Sequence, residues 1–66
     1  MDISELRAEL GRKKVSIPKL AKAIGIGKKA MYQRFDGIVQ FKQNEITAIK
    51  NYLELSEERV IAIFFN

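Results

Sequence analysis

Apolar residues along the chain recur at intervals of three and four, the spacing that places side chains on one face of an α-helix. The first helix is predicted from three such residues, Ile3, Leu6 and Leu10. Asp2 or Ser4 can cap its N-terminus. Its end is predicted near residues 13–14, two lysines whose positive charge is favourable at the negative end of the helix dipole.

A short second helix is predicted over residues 17–24. Ser16 is expected to cap it, and Pro18 falls in its first turn, where the missing N–H group costs little. Its apolar stripe consists of Leu20, Ala21 and Ile24. Gly25 is expected to end the helix, because glycine adopts positive φ without a steric penalty.

A third helix is predicted over residues 28–36, directly after the connection formed by residues 25–27. Met31 and Phe35, four residues apart, are its predicted inward pair. The small side chain of Ala21 allows this helix to cross the second one closely. Two short helices with this connection are typical of a helix-turn-helix, whose second helix lies in the major groove of DNA.

Two further helices are predicted in the C-terminal half. Phe41 and Ile46 bracket the start of the fourth helix as a hydrophobic staple, with Lys42 at the cap position. Glu45 stands where a capping box places its acid, and the core stripe consists of Ile46, Ile49 and Leu53. Ser56 is expected to cap a last helix over residues 57–64. The pattern therefore predicts an all-α fold: one five-helix domain over residues 1–66, with the helix-turn-helix at about 17–36.

Positive charge is concentrated around the predicted helix-turn-helix. The chain has 66 residues, with 12 basic and 8 acidic side chains and a net charge of +4. Between residues 12 and 34 every charged side chain is basic: Arg12, Lys13, Lys14, Lys19, Lys22, Lys28, Lys29 and Arg34. Ordinary charged surfaces carry both signs. A purely basic block inside an apolar-patterned segment indicates a polyanionic partner.

The composition also excludes several kinds of chemistry. Cysteine and histidine are absent, which removes disulfides, thiolate chemistry, imidazole bases and the usual ligands of structural zinc. We expect no metal, no cofactor, no small-molecule substrate and no catalytic residues, and therefore no enzyme. The longest apolar run, Val60–Phe65, is far shorter than the roughly 20 residues of a membrane span. We therefore expect an intracellular protein with no membrane partner.

Two segments resemble a known family. The segment from Ser16 to Ile26, SIPKLAKAIGI, resembles the helix-turn-helix of the phage Cro and repressor family. Residues 53–65 are similar to the C-terminal ending of small Cro-like proteins of phages and prophages. The resemblance covers residues 5–65. It implies a five-helix domain that binds operator double-stranded DNA in the cytoplasm of a bacterial host, usually as a dimer, and represses or switches transcription.

By position, the resemblance assigns base reading to one face of the third helix: Lys28, Lys29, Tyr32 and Gln33. A lysine can read guanine and a glutamine can read adenine. Phosphate contacts are expected from Ser16, Lys19, Arg34 and Lys42. The chain departs from the family at two positions. Ile17 stands where a phosphate-holding glutamine is frequent, and Gly27 stands where a capping serine is frequent.

The apolar C-terminus leaves a second interpretation open. Phe64 and Phe65 cannot both face inward easily, so one is expected to stay exposed as an interface patch. Phe64 is the predicted core residue, and Ile63 with Phe65 is the predicted seam of a weak homodimer. Such a dimer would hold two third helices about 34 Å apart, one turn of DNA. The alternative function is a protein-interaction module, such as an antirepressor or a modulator that binds another regulator.

Overall fold

The computed structural model describes all 66 residues and consists of five α-helices with no strand. The helices are α1 (Ile3–Lys13), α2 (Ile17–Ile24), α3 (Lys28–Phe35), α4 (Gln43–Leu53) and α5 (Glu57–Phe64). The all-α class and the number of helices predicted from the sequence are thereby confirmed. None of the five has both the length and the apolar character needed to cross a membrane.

Side-chain caps begin three of the helices where the sequence predicts them. The Asp2 carboxylate accepts a hydrogen bond from the Glu5 N–H at the start of α1. Ser16 and Ser56 cap α2 and α5 in the same way, each accepting from the N–H three residues later at 3.2 and 3.1 Å. Each cap satisfies one of the N–H groups that a helix leaves unpaired at its start.

Three helices end in the same backbone motif, although only one of them ends in glycine. Lys14, Gly25 and Glu54 adopt positive φ after α1, α2 and α4. In each case the N–H of the next residue donates a hydrogen bond to the carbonyl five residues earlier in the chain. Ile26, for example, donates to the Ala21 carbonyl at 3.0 Å. These bonds satisfy carbonyls that the helix end leaves free, which offsets the cost of positive φ in a residue with a Cβ atom.

One apolar core joins all five helices. Its members are Leu6, Leu10, Leu20, Ala21, Met31, Phe35, Ile46, Ile49, Leu53, Leu55, Val60, Ile63 and Phe64. The predicted inward pair of α3, Met31 and Phe35, is part of it. Phe41 packs edge-on against Phe35 at 6.1 Å and against Phe64 at 5.5 Å, which connects α3 to α5.

Two adjacent phenylalanines at the C-terminal end of α5 have opposite environments. Phe64 is 8% exposed and Phe65 is 59% exposed, so the prediction that Phe64 enters the core is confirmed. Ile63 is fully buried, and the prediction that it forms part of an exposed dimer seam is wrong. The physical reason is helical spacing, because Val60, Ile63 and Phe64 lie at i, i+3 and i+4 and share the inward face.

The packing order leaves one side of α3 free. α2 packs against both α3 and α4, while α1 packs against α4 and α5. The chain ends meet on the α1–α5 side, where the Asp2 N–H donates to the Ile63 carbonyl at 2.6 Å. α3 is therefore held from the α2 side, and its opposite face is open to a partner.

Candidate nucleic-acid interface

The open face of α3 carries the four side chains predicted to read bases: Lys28, Lys29, Tyr32 and Gln33. We call these four residues the outer face of α3. The first three are exposed and the fourth is half-buried, whereas Met31, Arg34 and Phe35 point into the protein. The spacing of three and four residues makes the four side chains neighbours on one helical surface. The structure thus brings the predicted set together.

The functional groups on this face suit the edges of base pairs. Lysine donates hydrogen bonds to guanine O6 and N7, and the amide of Gln33 offers the donor and acceptor that adenine requires in the major groove. Tyr32 adds an aromatic ring and a hydroxyl group. No acidic side chain lies between Lys28 and Phe35, although the exposed Asp36 follows at the helix end.

Unpaired positive charge surrounds the outer face. Six exposed lysines between positions 14 and 42 take part in no ion pair: Lys14, Lys19, Lys22, Lys28, Lys29 and Lys42. By contrast, Arg12 lies 3.1 Å from Glu9, and Lys13 donates to the Leu53 carbonyl. On the α1–α5 side the positive charge of Arg59 is neutralised by ion pairs, because Arg59 contacts Glu5 and Glu9 at 2.7 and 2.9 Å. The uncompensated charge is therefore concentrated on the segments around α2 and α3.

The predicted phosphate contacts have two different environments. Ser16, Lys19 and Lys42 are exposed. The Ser16 hydroxyl oxygen accepts from the Lys19 N–H, so its own proton remains available to an external acceptor. These three residues stay predicted phosphate contacts.

Arg34 is buried, and this contradicts its predicted contact with phosphate. Its Nε and Nη2 atoms donate to the two carboxylate oxygens of Glu45 at 2.7 and 2.9 Å, and Nη1 donates to the Ala30 carbonyl at 3.0 Å. Each of the three guanidinium nitrogens thus donates to a partner inside the protein. One sequence signal indicates this position, because Arg34 follows Met31 by three residues on the inward face. The partner was missed because it lies on another helix.

Glu45 also contributes to the cap at the start of α4. Its carboxylate accepts from the Lys42 N–H at 2.9 Å, which is one half of the predicted capping box. The other half does not form, because the lysine side chain has no acceptor atom to offer the N–H groups of the first turn. Glu45 is thus the one acid that contacts both α3 and the start of α4.

Two buried carboxyl groups have shifted pKa values. Burial alone raises the pKa of Glu45, but the hydrogen bonds from Arg34 and Lys42 and the attraction of their positive charges outweigh it, and the net pKa is lowered. Glu9 follows the same rule: burial raises its pKa, and the contacts with Arg59 and Arg12 lower it further than burial raises it.

These shifts predict acid sensitivity. A carboxyl whose pKa is lower in the folded state contributes stability that is present above its unfolded pKa and is lost as the pH falls toward its folded pKa. We therefore expect the free energy of unfolding to decrease below about pH 4.5, the ordinary value for glutamate. Urea unfolding from pH 7 to pH 3 measures this decrease. Glu9→Gln should be less stable at pH 7 and less dependent on pH, and an unchanged pH dependence would contradict the assignment.

A second exposed surface is apolar and lies at α5. Ile61 and Phe65, four residues apart, are 58% and 59% exposed, and the half-exposed Met1 lines the same cleft as Phe65. We call these three residues the C-terminal apolar surface. It borders a cleft of about 260 Å³ lined by Met1, Gln40, Phe41, Ile46, Phe64 and Phe65. Phe65 is thus exposed as predicted, whereas Ile63 is buried and the exposed side chain beside it on α5 is Ile61.

Comparison of the chain with protein-family models, curated proteins and solved structures finds no match. The structure also groups no three acidic side chains that could hold a metal ion.

Proposed function

We propose that this protein is a sequence-specific double-stranded DNA-binding transcriptional regulator, a repressor of the Cro-like type. The observation that carries the proposal is the outer face of α3, where four polar side chains project from one helix among lysines that have no acidic partner. α2 and α3 then act as a helix-turn-helix, and α3 enters the major groove of a palindromic operator. A bacterial cytoplasm is the expected location, and no catalysis or cofactor is part of the proposal.

The two sets of contacts have different roles. Ser16, Lys19 and Lys42 bind phosphates, which supplies affinity and fixes the orientation of the domain on the duplex. The outer face of α3 contacts base edges, which supplies sequence preference. A serine hydroxyl and lysine ammonium groups are suited to phosphate because they donate hydrogen bonds to its oxygens.

A second copy of the chain completes the site. α3 has eight residues and is about 12 Å long, so it reads only a few base pairs. Specific complexes usually bury more protein surface than one such helix offers. We place the contact between copies at the C-terminal apolar surface, Ile61, Phe65 and Met1, with the two α3 helices about 34 Å apart. A weak dimer is strengthened by DNA, because two half-sites raise the effective concentration of the protomers.

Selection from a random-sequence pool tests this function. The wild-type protein is incubated with random duplexes, bound DNA is amplified, and the enriched sequence is compared with a random duplex of equal length; we call these the selected duplex and the random duplex. We expect Gln33→Ala to weaken binding to the selected duplex by about 1–3 kcal/mol and to change binding to the random duplex little. Equal losses on both would mean that α3 does not read bases.

Two tyrosines provide a matched comparison. Tyr32 on α3 and Tyr52 on α4 are 43% and 40% exposed, so replacing either one removes a similar amount of surface. We expect Tyr32→Ala to reduce affinity for the selected duplex several-fold, since contacts of the ring or of the hydroxyl group with base edges are lost. Tyr52→Ala should bind like the wild type in the same fluorescence anisotropy assay. Similar effects of the two changes would place the DNA on another surface.

A protein-interaction module is the second candidate function. The C-terminal apolar surface favours it, because large apolar side chains exposed together mark interfaces. Salt dependence distinguishes the two candidates. Binding to DNA weakens steeply as salt rises, whereas a contact centred on Phe65 does not.

A further inference from the structure

The buried ion pair between Arg34 and Glu45 joins two elements that have different roles in the proposed DNA complex. Arg34 belongs to α3, and Glu45 lies in the first turn of α4, three residues after Lys42. Each of the three guanidinium nitrogens of Arg34 donates a hydrogen bond, and both carboxylate oxygens of Glu45 accept at least one. No buried side-chain polar atom in the protein lacks a partner.

Other contacts between α3 and α4 are few. Both helices pack on α2, α4 also packs on α1 and α5, and no other side-chain hydrogen bond joins α3 and α4 directly. The chain between them includes Gly37 at positive φ and the exposed residues Ile38 and Val39. Phe35 also packs edge-on against Phe41, which precedes Lys42 in the chain. The ion pair is thus the one side-chain hydrogen-bonded contact that joins α3 directly to α4.

Stability alone does not account for such a pair. Removing two charges from water is costly, and replacing a buried pair by apolar side chains of similar volume is often neutral or stabilising. The guanidinium fork does fix a geometry, since two parallel hydrogen bonds hold arginine and carboxylate in one plane. The third bond, from the Lys42 N–H to Glu45, extends this fixed geometry to the residue that precedes α4.

We propose that Arg34 and Glu45 are positioning residues for DNA recognition, holding the phosphate-binding Lys42 in register with the base-reading outer face of α3. The inference rests on the proposed function. Neither residue touches DNA in this arrangement. The pair makes the outer face of α3 and the Lys42 side chain act as one rigid surface, so that a phosphate contact and a base contact form together.

The first test replaces the pair and keeps the charge. Arg34→Met/Glu45→Met removes one charge of each sign and leaves the net charge at +4. We expect its affinity for the random duplex to stay within about twofold of the wild type, while the ratio of selected to random affinity falls about tenfold or more. Urea unfolding confirms that the variant is folded. A folded variant that discriminates as well as the wild type would overturn the inference.

The second test asks whether Lys42 depends on the pair. In the wild-type background Lys42→Ala should reduce the steepness of the fall in log affinity with log salt by about 0.9, the value for one phosphate contact. In the Arg34→Met/Glu45→Met background the same change should have a clearly smaller effect, because Lys42 is no longer held in place. Such non-additivity identifies coupled residues. Additive effects would reduce the pair to a structural role and contradict the proposal.

A third test needs no DNA. The chain has no cysteine, so spin labels can be attached at Lys28→Cys and Asn44→Cys alone. We expect a narrow distribution of label distances in the parent chain and a broader or shifted one without the ion pair. Arg34→Lys keeps the positive charge but removes the planar guanidinium group that forms two parallel hydrogen bonds. This variant replaces the double variant in all three measurements if the double variant does not fold. An unchanged distribution in a folded variant would contradict the positioning role.

The experiments distinguish an incorrect proposed function from an incorrect positioning role of Arg34 and Glu45. If the wild-type protein enriches no sequence and binds all duplexes equally, the proposed function is wrong, whatever the distance distributions are. If the wild type discriminates and the folded pair variants discriminate equally, the proposed function stands and the positioning role is wrong.

Discussion

Replacing Lys28 and Lys29 together with alanine is expected to remove most of the sequence-specific binding while the fold persists. Both side chains are exposed at the start of α3 and contact no acidic group, so their loss leaves no buried cavity and no unpaired charge. At about 1–3 kcal/mol for each lost base contact, binding to the selected duplex weakens by about 2–6 kcal/mol. Fluorescence anisotropy measures the affinity, and circular dichroism verifies the helix content.

A variant with the same loss of charge controls for non-specific attraction. Arg12→Ala/Lys50→Ala also removes two positive charges, and both residues pair with acids, Glu9 at 3.1 Å and Glu57 at 3.4 Å. The Lys50–Glu57 pair is largely exposed and contributes little stability, and the buried Glu9 keeps its contact with Arg59 at 2.9 Å when Arg12 is replaced. The control should lose far less affinity for the selected duplex than the α3 variant. If the two variants lose the same affinity, net charge governs binding and the outer face of α3 does not read the operator.

Adjacent phenylalanines at the end of α5 are expected to give opposite results. Phe64→Ala should lower the free energy of unfolding by about 3–5 kcal/mol, because the ring is buried against Phe41 and its removal leaves a cavity. Phe65→Ala should leave the urea midpoint nearly unchanged, because its ring is mostly exposed. Chemical unfolding at a single pH measures both effects.

The same pair tests the proposed dimer. Phe65→Ala should weaken self-association in sedimentation equilibrium and lower both affinity and cooperativity on the selected duplex, since Phe65 belongs to the C-terminal apolar surface. Ile61→Ala, which removes less apolar area from the same surface, should act in the same direction with a smaller effect. If Phe65→Ala unfolds the protein, or leaves association and DNA binding unchanged, the contact between copies lies elsewhere.

Local patterns predict the elements of this fold well. Apolar spacing and capping residues place α2 and α5 at residues 17–24 and 57–64, and both bounds are confirmed. These signals succeed because helix starts and apolar faces depend on residues three or four positions apart. The positive φ of Lys14 and Glu54 was not predicted, because the backbone hydrogen bonds that favour it do not require glycine at those positions.

Local patterns fail where a side chain has a partner far along the chain. The sequence pattern predicts that a basic residue on a basic helix is exposed. Arg34 is nevertheless buried, because it forms an ion pair with Glu45, eleven residues later on α4. Ile63 is a similar case. An apolar residue near the chain end is equally compatible with the core and with an interface, and only the packing of α5 against α1 and α4 buries it.

The sequence by itself determined the five helices, the concentration of lysines between α1 and α4, and the set of side chains that share the outer face of α3, because each depends on composition or on spacing within one helix. The tertiary structure alone decided which cations remain free and which apolar side chains remain exposed. Ion pairs and burial arise where helices meet. The assignment of Arg34 to an internal pair, and of Ile61 rather than Ile63 to the exposed surface, therefore required the packed arrangement of α1, α3, α4 and α5.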